Sequence, residues 1–111
     1  MNKEIILKTK PLSVNAAWKG RRYKTDLYKA YETELLYLLK RKEKIGGWVE
    51  VKYTFHINTF KKSDVGNFEK PLSDILVKAG IIDDDRFIKQ ITLIKEQSDK
   101  DYIEIEIKKI K

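Results

Sequence analysis

The sequence predicts an α+β fold in which a four-stranded mixed β-sheet carries two helices packed on one face. Three observations support it: one segment alternates strictly between apolar and polar residues, two segments show helical apolar spacing, and the element order is strand-helix-strand-helix-strand-strand. Two helices on one face of one sheet are the simplest two-layer arrangement for that order. The other face has too few apolar residues for a second covering layer, so we expect solvent or a second subunit there.

The first half of the chain predicts one strand, one loop and one long helix. Residues 4–8 form a strand around three consecutive aliphatic side chains, and residues 11–24 form an extended loop. The helix begins at Thr25 or Asp26, either of which can cap it, and runs to about residue 44, before a Gly-Gly pair. Its inward-facing residues are Leu27, Tyr31, Leu35, Leu38 and Leu39.

The second half predicts three strands and a short helix. Residues 48–60 alternate and therefore form a strand with one buried side. The buried side consists of Val49, Val51, Tyr53, Phe55 and Ile57. A short amphipathic helix follows, with Leu72, Ile75, Leu76 and Ala79 on its apolar face and Gly80 as its natural end. Residues 86–95 and 102–109 form two more strands, which the polar turn 96–100 is predicted to join as a hairpin.

Composition limits the class of protein. The 111 residues are enough for one domain, 1–111, to bury a core without disulfides. The absence of cysteine excludes a disulfide framework, a thiolate metal site and a Cys nucleophile. His56, expected to be a solvated strand residue, is the only histidine, which excludes a His-rich metal site. There is no long apolar run and no signal-peptide pattern, so we expect a soluble intracellular protein.

Acidic residues lie on both sides of the short helix. Asp64 and Lys70 precede it, and Asp83, Asp84 and Asp85 follow it. Carboxylates held close together repel one another, so folding alone gives little reason to gather them. Mg²⁺ gives a reason, because it prefers oxygen ligands, usually one or two carboxylates with water and phosphate. The alternative is a solvated turn, with Asp64 or Ser63 as a helix cap.

The net charge predicts a polyanionic partner. Lys and Arg number 24 against 17 Asp and Glu, a formal charge of +7, which favours nucleic acid. The cations expected to contact DNA are Lys19, Arg21, Arg22 and Lys24 around Tyr23, together with Lys61, Lys62 and Arg86. The alternative for these residues is an ordinary solvated cationic surface.

Residues 63–85 carry a specific motif, SDVGNFEKPLSDILVKAGIIDDD. The motif residues are Asp64, Asn67, Lys70, Ala79, Gly80, Asp84 and Asp85. This pattern resembles the core of the RusA-type Holliday junction resolvases, crossover junction endodeoxyribonucleases that are often phage- or prophage-associated. Residues 11–15 (PLSVN) and 20–32 (GRRYKTDLYKAYE) also resemble the N-terminal loop and first helix of that family.

The resemblance implies a homodimeric, nucleoid-associated, Mg²⁺-dependent endonuclease that nicks four-way DNA junctions in recombination and repair. Asp64, Asp84 and Asp85 would then hold Mg²⁺ or Mn²⁺ against the scissile phosphate. Lys70 would neutralise charge in the transition state or assist the leaving oxygen, and Asn67 would orient a ligand or the phosphate. For Asn67 a helix cap is an equally good interpretation.

One position departs from the family pattern: Gly66 stands where a second Asp is usual. Three explanations remain open. Asp83 or Asp74 supplies the missing oxygen, or one metal ion is bound through fewer carboxylates, or the protein binds junctions with weak or no cleavage. Glycine also permits backbone conformations that other residues find costly.

Two further function classes remain as alternatives. A non-catalytic nucleic-acid-binding module would use Tyr53 and Phe55 on the sheet, but their place on the apolar face weakens that hypothesis. A structural or interaction protein would use the acid cluster only as a turn.

Overall fold

A computed structural model of the chain describes residues 2–19 and 23–110. Within these ranges the elements, in order, are β1 (Asn2–Leu7), α1 (Val14–Ala17), β2 (Trp18–Lys19), β3 (Tyr23–Lys24), α2 (Asp26–Leu39), β4 (Val49–Ile57), α3 (Glu69–Lys78), β5 (Ile88–Gln97) and β6 (Tyr102–Lys109). Short 3-10 turns cover Phe60–Lys62, Val65–Phe68 and Asp85–Phe87.

The main sheet is four-stranded and mixed, with the strand order β1-β6-β4-β5. Strand β6 runs antiparallel to both β1 and β4, whereas β5 runs parallel to β4. A parallel pair needs a crossover connection, and the chain makes it through α3. The predicted α+β class and mixed sheet are confirmed.

The predicted hairpin between β5 and β6 is wrong, because β4 lies between these two strands. Their connection crosses the end of β4, where the Ser98 N–H donates to the Ile57 carbonyl (3.1 Å). There the Asn58 N–H also donates to the Asp101 carboxylate (2.8 Å). A polar turn indicates that the chain reverses, but not which strands then pair.

The core lies between the sheet and the helices. The alternating residues Val49, Val51, Tyr53, Phe55 and Ile57 are all buried, as predicted. In α2, however, Leu27 and Leu38 are 64% and 39% exposed, so their predicted inward position is wrong. The buried stripe is Tyr28, Tyr31, Leu35 and Leu39, which repeats every three or four residues.

The segment predicted as an extended loop contains α1 and a two-stranded sheet of β2 and β3 instead. Thr25 caps α2, as predicted, by accepting a hydrogen bond from the Tyr28 N–H (3.2 Å). Its hydroxyl also donates to the Ala16 carbonyl (2.6 Å), which ties α1 to the start of α2. α2 ends five residues before the predicted position 44, at Leu39.

α3 has the predicted apolar face, with Leu72, Ile75 and Leu76 buried. Gly80 follows its end with φ +78°, in the left-handed region where glycine is favoured. Lys70 lies inside the first turn of the helix rather than before it. Because Lys70 lies inside the helix, Asp74, one helical turn further on, is its ion-pair partner.

The sheet face opposite the helices is mainly polar, as predicted, although Ile6 is 62% exposed on it. His56 is not a solvated strand residue. Its ring stacks on Tyr102 at a centroid distance of 3.9 Å and hydrogen-bonds to Glu104. Contact of this face with a second subunit stays a prediction. None of the helices in the described ranges has the length and apolar character needed to cross a membrane.

Candidate functional site

Lys70 forms the centre of a charged cluster at the start of α3. Its Nζ lies 3.0 Å from Asp74 Oδ1 and 3.0 Å from Asp85 Oδ2. The i, i+4 spacing brings Asp74 onto the same helix face, while Asp85 comes from the segment after the helix. Hydrogen bonds to Asp74 and Asp85 raise the pKa of Lys70, because both carboxylates stabilise the ammonium form. Lys70 is therefore a fixed positive charge at neutral pH.

Asp84 and Asp85 form a pair of neighbouring carboxylates. The hydrogen bond from Lys70 is the main cause that lowers the pKa of Asp85, and the neighbouring Asp84 contributes. Asp84 also caps the turn Asp85–Phe87 by accepting a hydrogen bond from the Arg86 N–H (3.2 Å). Two adjacent carboxylates are a donor set typical of a hard divalent cation.

Asp83 does not join this pair. Its Oδ2 accepts a hydrogen bond from the Gly47 N–H (2.9 Å), and its Oδ1 lies 3.4 Å from Lys44 Nζ. The Gly47 N–H is the main cause that lowers the pKa of Asp83, and Lys44 adds to it. Asp83 thus stabilises the turn before β4.

Asp64 sits on the opposite side of α3 in the sequence and is exposed. It caps the turn Val65–Phe68, since its Oδ1 accepts a hydrogen bond from the Gly66 N–H (3.0 Å). In that turn the Asn67 N–H donates to the Asp64 carbonyl (3.0 Å). The Asn67 side-chain amide makes no hydrogen bond within the described part of the chain.

Gly66 is not required by the backbone of this turn. Its φ lies outside the left-handed region, where of the described glycines only Gly47 and Gly80 fall. A Cβ at position 66 would have one neighbour, Asp64 Oδ1 at 3.4 Å, which is ordinary van der Waals contact. The turn can therefore hold a side chain at position 66.

The two sides of α3 are not joined into one ligand set. Across residues 2–19 and 23–110, no three acidic or imidazole side chains lie close enough to hold one metal ion. In these ranges the ion pairs of Lys70 are with Asp74 and Asp85, and Asp64 has none. The structure brings together Lys70, Asp74, Asp84 and Asp85. The predicted roles of Asp64 and Asn67 stay predictions.

Lys95 holds the segment that leads to Asp64, a contact that sequence reasoning missed. From β5 its Nζ donates to the carbonyls of Phe60 (2.7 Å) and Ser63 (2.8 Å). It also lies 4.4 Å from the centroid of the Phe60 ring. No local pattern gave a signal for it, because burial does not alternate along β5 and the place of Lys95 beside buried Phe55 follows only from strand pairing.

A buried network fixes the other face of α3. The Tyr53 hydroxyl lies 2.8 Å from Ser73 Oγ, and Ser73 in turn hydrogen-bonds to Glu69. Burial raises the pKa of Tyr53, so its hydroxyl remains a neutral donor. These contacts fix the rotation of α3 about its axis and thereby the direction of Lys70 and Asp74.

Lys24, at the end of the basic loop, is linked to α3 through Glu32 of α2. Burial, with the charge of Asp74, raises the pKa of Tyr28 to about 12. Lys24 Nζ lies 5.2 Å from the centroid of the Tyr28 ring and 2.9 Å from Glu32 Oε2. Glu32 also pairs with Lys78 of α3 (3.0 Å). Burial raises the pKa of Glu32, but hydrogen bonds from Lys24 and Lys78 outweigh it and lower the pKa.

The remaining predicted DNA contacts divide into two groups. Lys61, Lys62 and Arg86 are exposed and lie next to the acids in sequence. The Arg86 guanidinium lies 5.0 Å from the centroid of the Phe87 ring. The side chain of Lys19 and the whole of Arg21 and Arg22 lie outside the described residues.

The family model described as Endodeoxyribonuclease RusA matches residues 8–108 of the chain. No curated protein matches the chain. The matched range spans the motif, the cluster around Lys70 and the strands that carry them, and it covers nearly the whole sequence. The chain therefore belongs to the RusA family of endodeoxyribonucleases.

Proposed function

We propose that the protein is a metal-dependent endodeoxyribonuclease that nicks four-way DNA junctions in recombination and repair. Family membership supports the endonuclease activity. The observation that carries the proposal further is the contact of Lys70 with Asp85, next to Asp84. This places a fixed ammonium group beside two adjacent carboxylates in a protein of net charge +7. Such a juxtaposition suits a site where a metal ion and a phosphate meet.

Asp84 and Asp85 fit the requirements of Mg²⁺ or Mn²⁺. Mg²⁺ is usually bound through one or two carboxylates, with the remaining positions taken by water and substrate phosphate. The pair therefore offers a sufficient protein donor set, to which Asp64 would add a third carboxylate. When bound, the ion would lower the pKa of a coordinated water and stabilise charge on the phosphate oxygens.

Lys70 would stabilise charge that develops on the scissile phosphate. Its ammonium group is a compact point charge with three donors. Asp74 holds it from the same helix (3.0 Å), so Lys70 keeps a partner when Asp85 turns to a metal ion. The half-buried amide of Asn67 is free to orient the phosphate.

Exposed cations would position the DNA backbone. Lys61 and Lys62 precede Asp64, and Arg86 follows Asp85. Each phosphate they neutralise releases counterions, so the logarithm of junction affinity should fall by about 0.9 per contact per tenfold rise in salt. A homodimer suits symmetric incision of a two-fold junction. The protein would act in the nucleoid of a host cell and would be encoded by the host or by a phage or prophage.

A junction-binding protein with weak or no cleavage is the second candidate. Two observations favour it: Gly66 supplies no carboxylate, and no three metal-ligating side chains of the described residues are gathered. Binding through Lys61, Lys62 and Arg86 would not depend on either.

One experiment separates these functions. Labelled four-way junction and linear duplex of the same sequence are incubated with the protein in Mg²⁺, Mn²⁺ or EDTA. Symmetric, metal-dependent nicks in the junction alone support the nuclease. Retarded but intact junction in every condition supports the binding protein. Equal affinity for both substrates without cleavage contradicts both.

A further inference from the structure

A pocket of about 480 Å³ lies directly beside the segment that leads to Asp64. It is an open groove between the loop 9–13, one side of α2 and the segment 59–63. Its apolar walls are formed by Leu12, Ala16, Ala30, Tyr31, Ile57 and Phe68. Ser63, which lines the pocket, is the residue before Asp64. Any group in the pocket is therefore close to the proposed catalytic acid.

Tyr31 brings an unpartnered polar group to this pocket. The residue is 6% exposed, and its buried hydroxyl has no hydrogen-bond partner among the described groups. Burial raises the pKa of Tyr31, so the hydroxyl stays protonated. The Leu12 backbone lies near the hydroxyl but not in hydrogen-bonding geometry with it. A buried hydroxyl without an acceptor is unfavourable, and a ligand with an acceptor atom would remove that cost.

The remaining lining groups describe the ligand further. Tyr31 and Phe68 supply aromatic walls, and the hydroxyls of Ser13 and Thr59 supply polar groups. Lys10 and Glu34 both line the pocket and are exposed, and the Glu34 carboxylate accepts a hydrogen bond from Thr9. Lys61 and Lys62 lie in the same turn as Thr59 and are exposed too. The ligand should therefore be a flat aromatic group with acceptor atoms, attached to an anionic chain.

We propose that this pocket receives one unpaired nucleobase of the DNA substrate, beside the phosphate presented to Asp64. The inference rests on the proposed nuclease function and adds a base-reading site to it. Enzymes that act on distorted DNA extrude bases into pockets that combine stacking with hydrogen bonds, and stacking on aromatic side chains tolerates any base. Lys10, Lys61 and Lys62 would contact the phosphates on either side of the extruded nucleotide. The Tyr31 hydroxyl and the Ser13 and Thr59 hydroxyls would then favour some bases over others at the cleavage position.

The test uses junctions that carry 2-aminopurine at single positions near the crossover, bound in EDTA so that no cleavage occurs. With the unaltered protein we expect a change in fluorescence at one position per strand. Ala30→Phe places a ring at the pocket wall and should abolish that change. Thr33→Phe, which adds the same ring to α2 at a residue outside the pocket lining, should leave it unchanged.

Cleavage gives a second readout. In Mg²⁺, Ala30→Phe should reduce nicking at the preferred position by roughly tenfold or more, the loss expected when one base–aromatic stack is removed. Tyr31→Phe should narrow the preference between bases at that position, whereas Tyr37→Phe, whose hydroxyl is on an exposed residue of α2, should not.

The outcomes separate the two proposals. If the junction is bound and nicked but no position responds, or Ala30→Phe responds like the unaltered protein, the base pocket is wrong and the nuclease stands. If the junction is neither bound nor nicked, the nuclease proposal fails and the pocket proposal falls with it.

Discussion

The two ends of α3 hold their acids in different ways. In the C-terminal flank, residues 83–85, two of the three carboxylates are tied to distant residues, Asp83 to Gly47 and Asp85 to Lys70. Asp84 caps its own turn through the Arg86 N–H. The N-terminal flank, residues 59–67, holds Asp64 by one local hydrogen bond from Gly66. The carboxylates of Asp83 and Asp85 are therefore anchored from outside their own flank, whereas that of Asp64 is not.

This difference suggests an order of assembly for the site. A rigid, preorganised pair loses little conformational entropy when a ligand binds, whereas a side chain held by a local cap loses more. We therefore expect the C-terminal flank to bind the metal ion first. The N-terminal flank would close on it when the DNA is in place.

The largest effect should follow from Asp85→Asn. This change removes the carboxylate charge that faces Lys70 and leaves a side chain of the same size. We expect single-turnover nicking of a four-way junction to fall by roughly 10²-fold or more, because one preorganised electrostatic group is lost from the site. Junction affinity in EDTA should stay within about twofold, since few phosphate contacts change.

Asp99→Asn, in the exposed turn between β5 and β6, is the matched control and should nick normally. Normal nicking by Asp85→Asn would show that the C-terminal flank does not bind the metal ion.

The next effect should come from Lys95→Met, which releases the N-terminal flank without touching an acid. Two hydrogen bonds, to the Phe60 and Ser63 carbonyls, are lost. We expect the free energy of unfolding to fall by about 1–3 kcal/mol. The nicking rate should fall by roughly tenfold, because Asp64 would no longer be held in position.

A positioning role is distinguished from simple destabilisation by three readouts. Junction affinity should be unchanged, Lys95→Arg should restore part of the rate, and Lys89→Met, at an exposed position of β5, should nick normally. An unchanged rate in a destabilised Lys95→Met protein would mean that Asp64 needs no support from β5.

Gly66→Asp should strengthen the less organised flank. A Cβ at position 66 has room, and the backbone there needs no left-handed conformation. A second carboxylate beside Asp64 adds an oxygen ligand that Mg²⁺ prefers. We expect the Mg²⁺ concentration for half-maximal nicking to fall several-fold, because one added negative charge near the ion attracts it more strongly.

Gly66→Asn is the control, because it adds the same bulk without the charge. If both variants nick like the unaltered protein across a Mg²⁺ titration, the N-terminal flank does not contact the metal ion.

The same two flanks show what could be predicted from the sequence. The alternation of β4 and the stop at Gly80 follow from local rules of period and backbone conformation, and both are confirmed. The position of Asp83 could not be predicted, because its partner Gly47 lies 36 residues away. The β5–β6 hairpin failed for the same reason, since strand order depends on which edges of β4 are filled.

Local patterns also concealed Lys95 and Tyr28. A lysine on a strand is expected to be solvated, and only the fold shows two carbonyls within its reach. In α2 the predicted inward positions of Tyr31, Leu35 and Leu39 are confirmed, but tertiary packing buries Tyr28 and exposes Leu27 and Leu38.

The smallest effect should be seen in the pH dependence of Lys70→Met. In the unaltered protein the hydrogen bond from Lys70 is the main cause of the low pKa of Asp85. Without it, the pKa of Asp85 should rise towards the ordinary aspartate value of about 3.9, but only in part, because the Arg86 backbone N–H still lowers it. A depressed carboxylate pKa stabilises the fold above the ordinary value, and this stabilisation is lost as the pH falls through the folded-state pKa. Acid unfolding of Lys70→Met should therefore depend less steeply on pH below about 4.

Carboxyl NMR titration measures the pKa of Asp85 directly. The control Lys78→Met, which removes a partner of Glu32 instead, should raise the pKa of Glu32 and leave that of Asp85 unchanged. An Asp85 pKa that does not move in Lys70→Met would mean that the contact is absent in solution, and the C-terminal flank would then be no better organised than the N-terminal one.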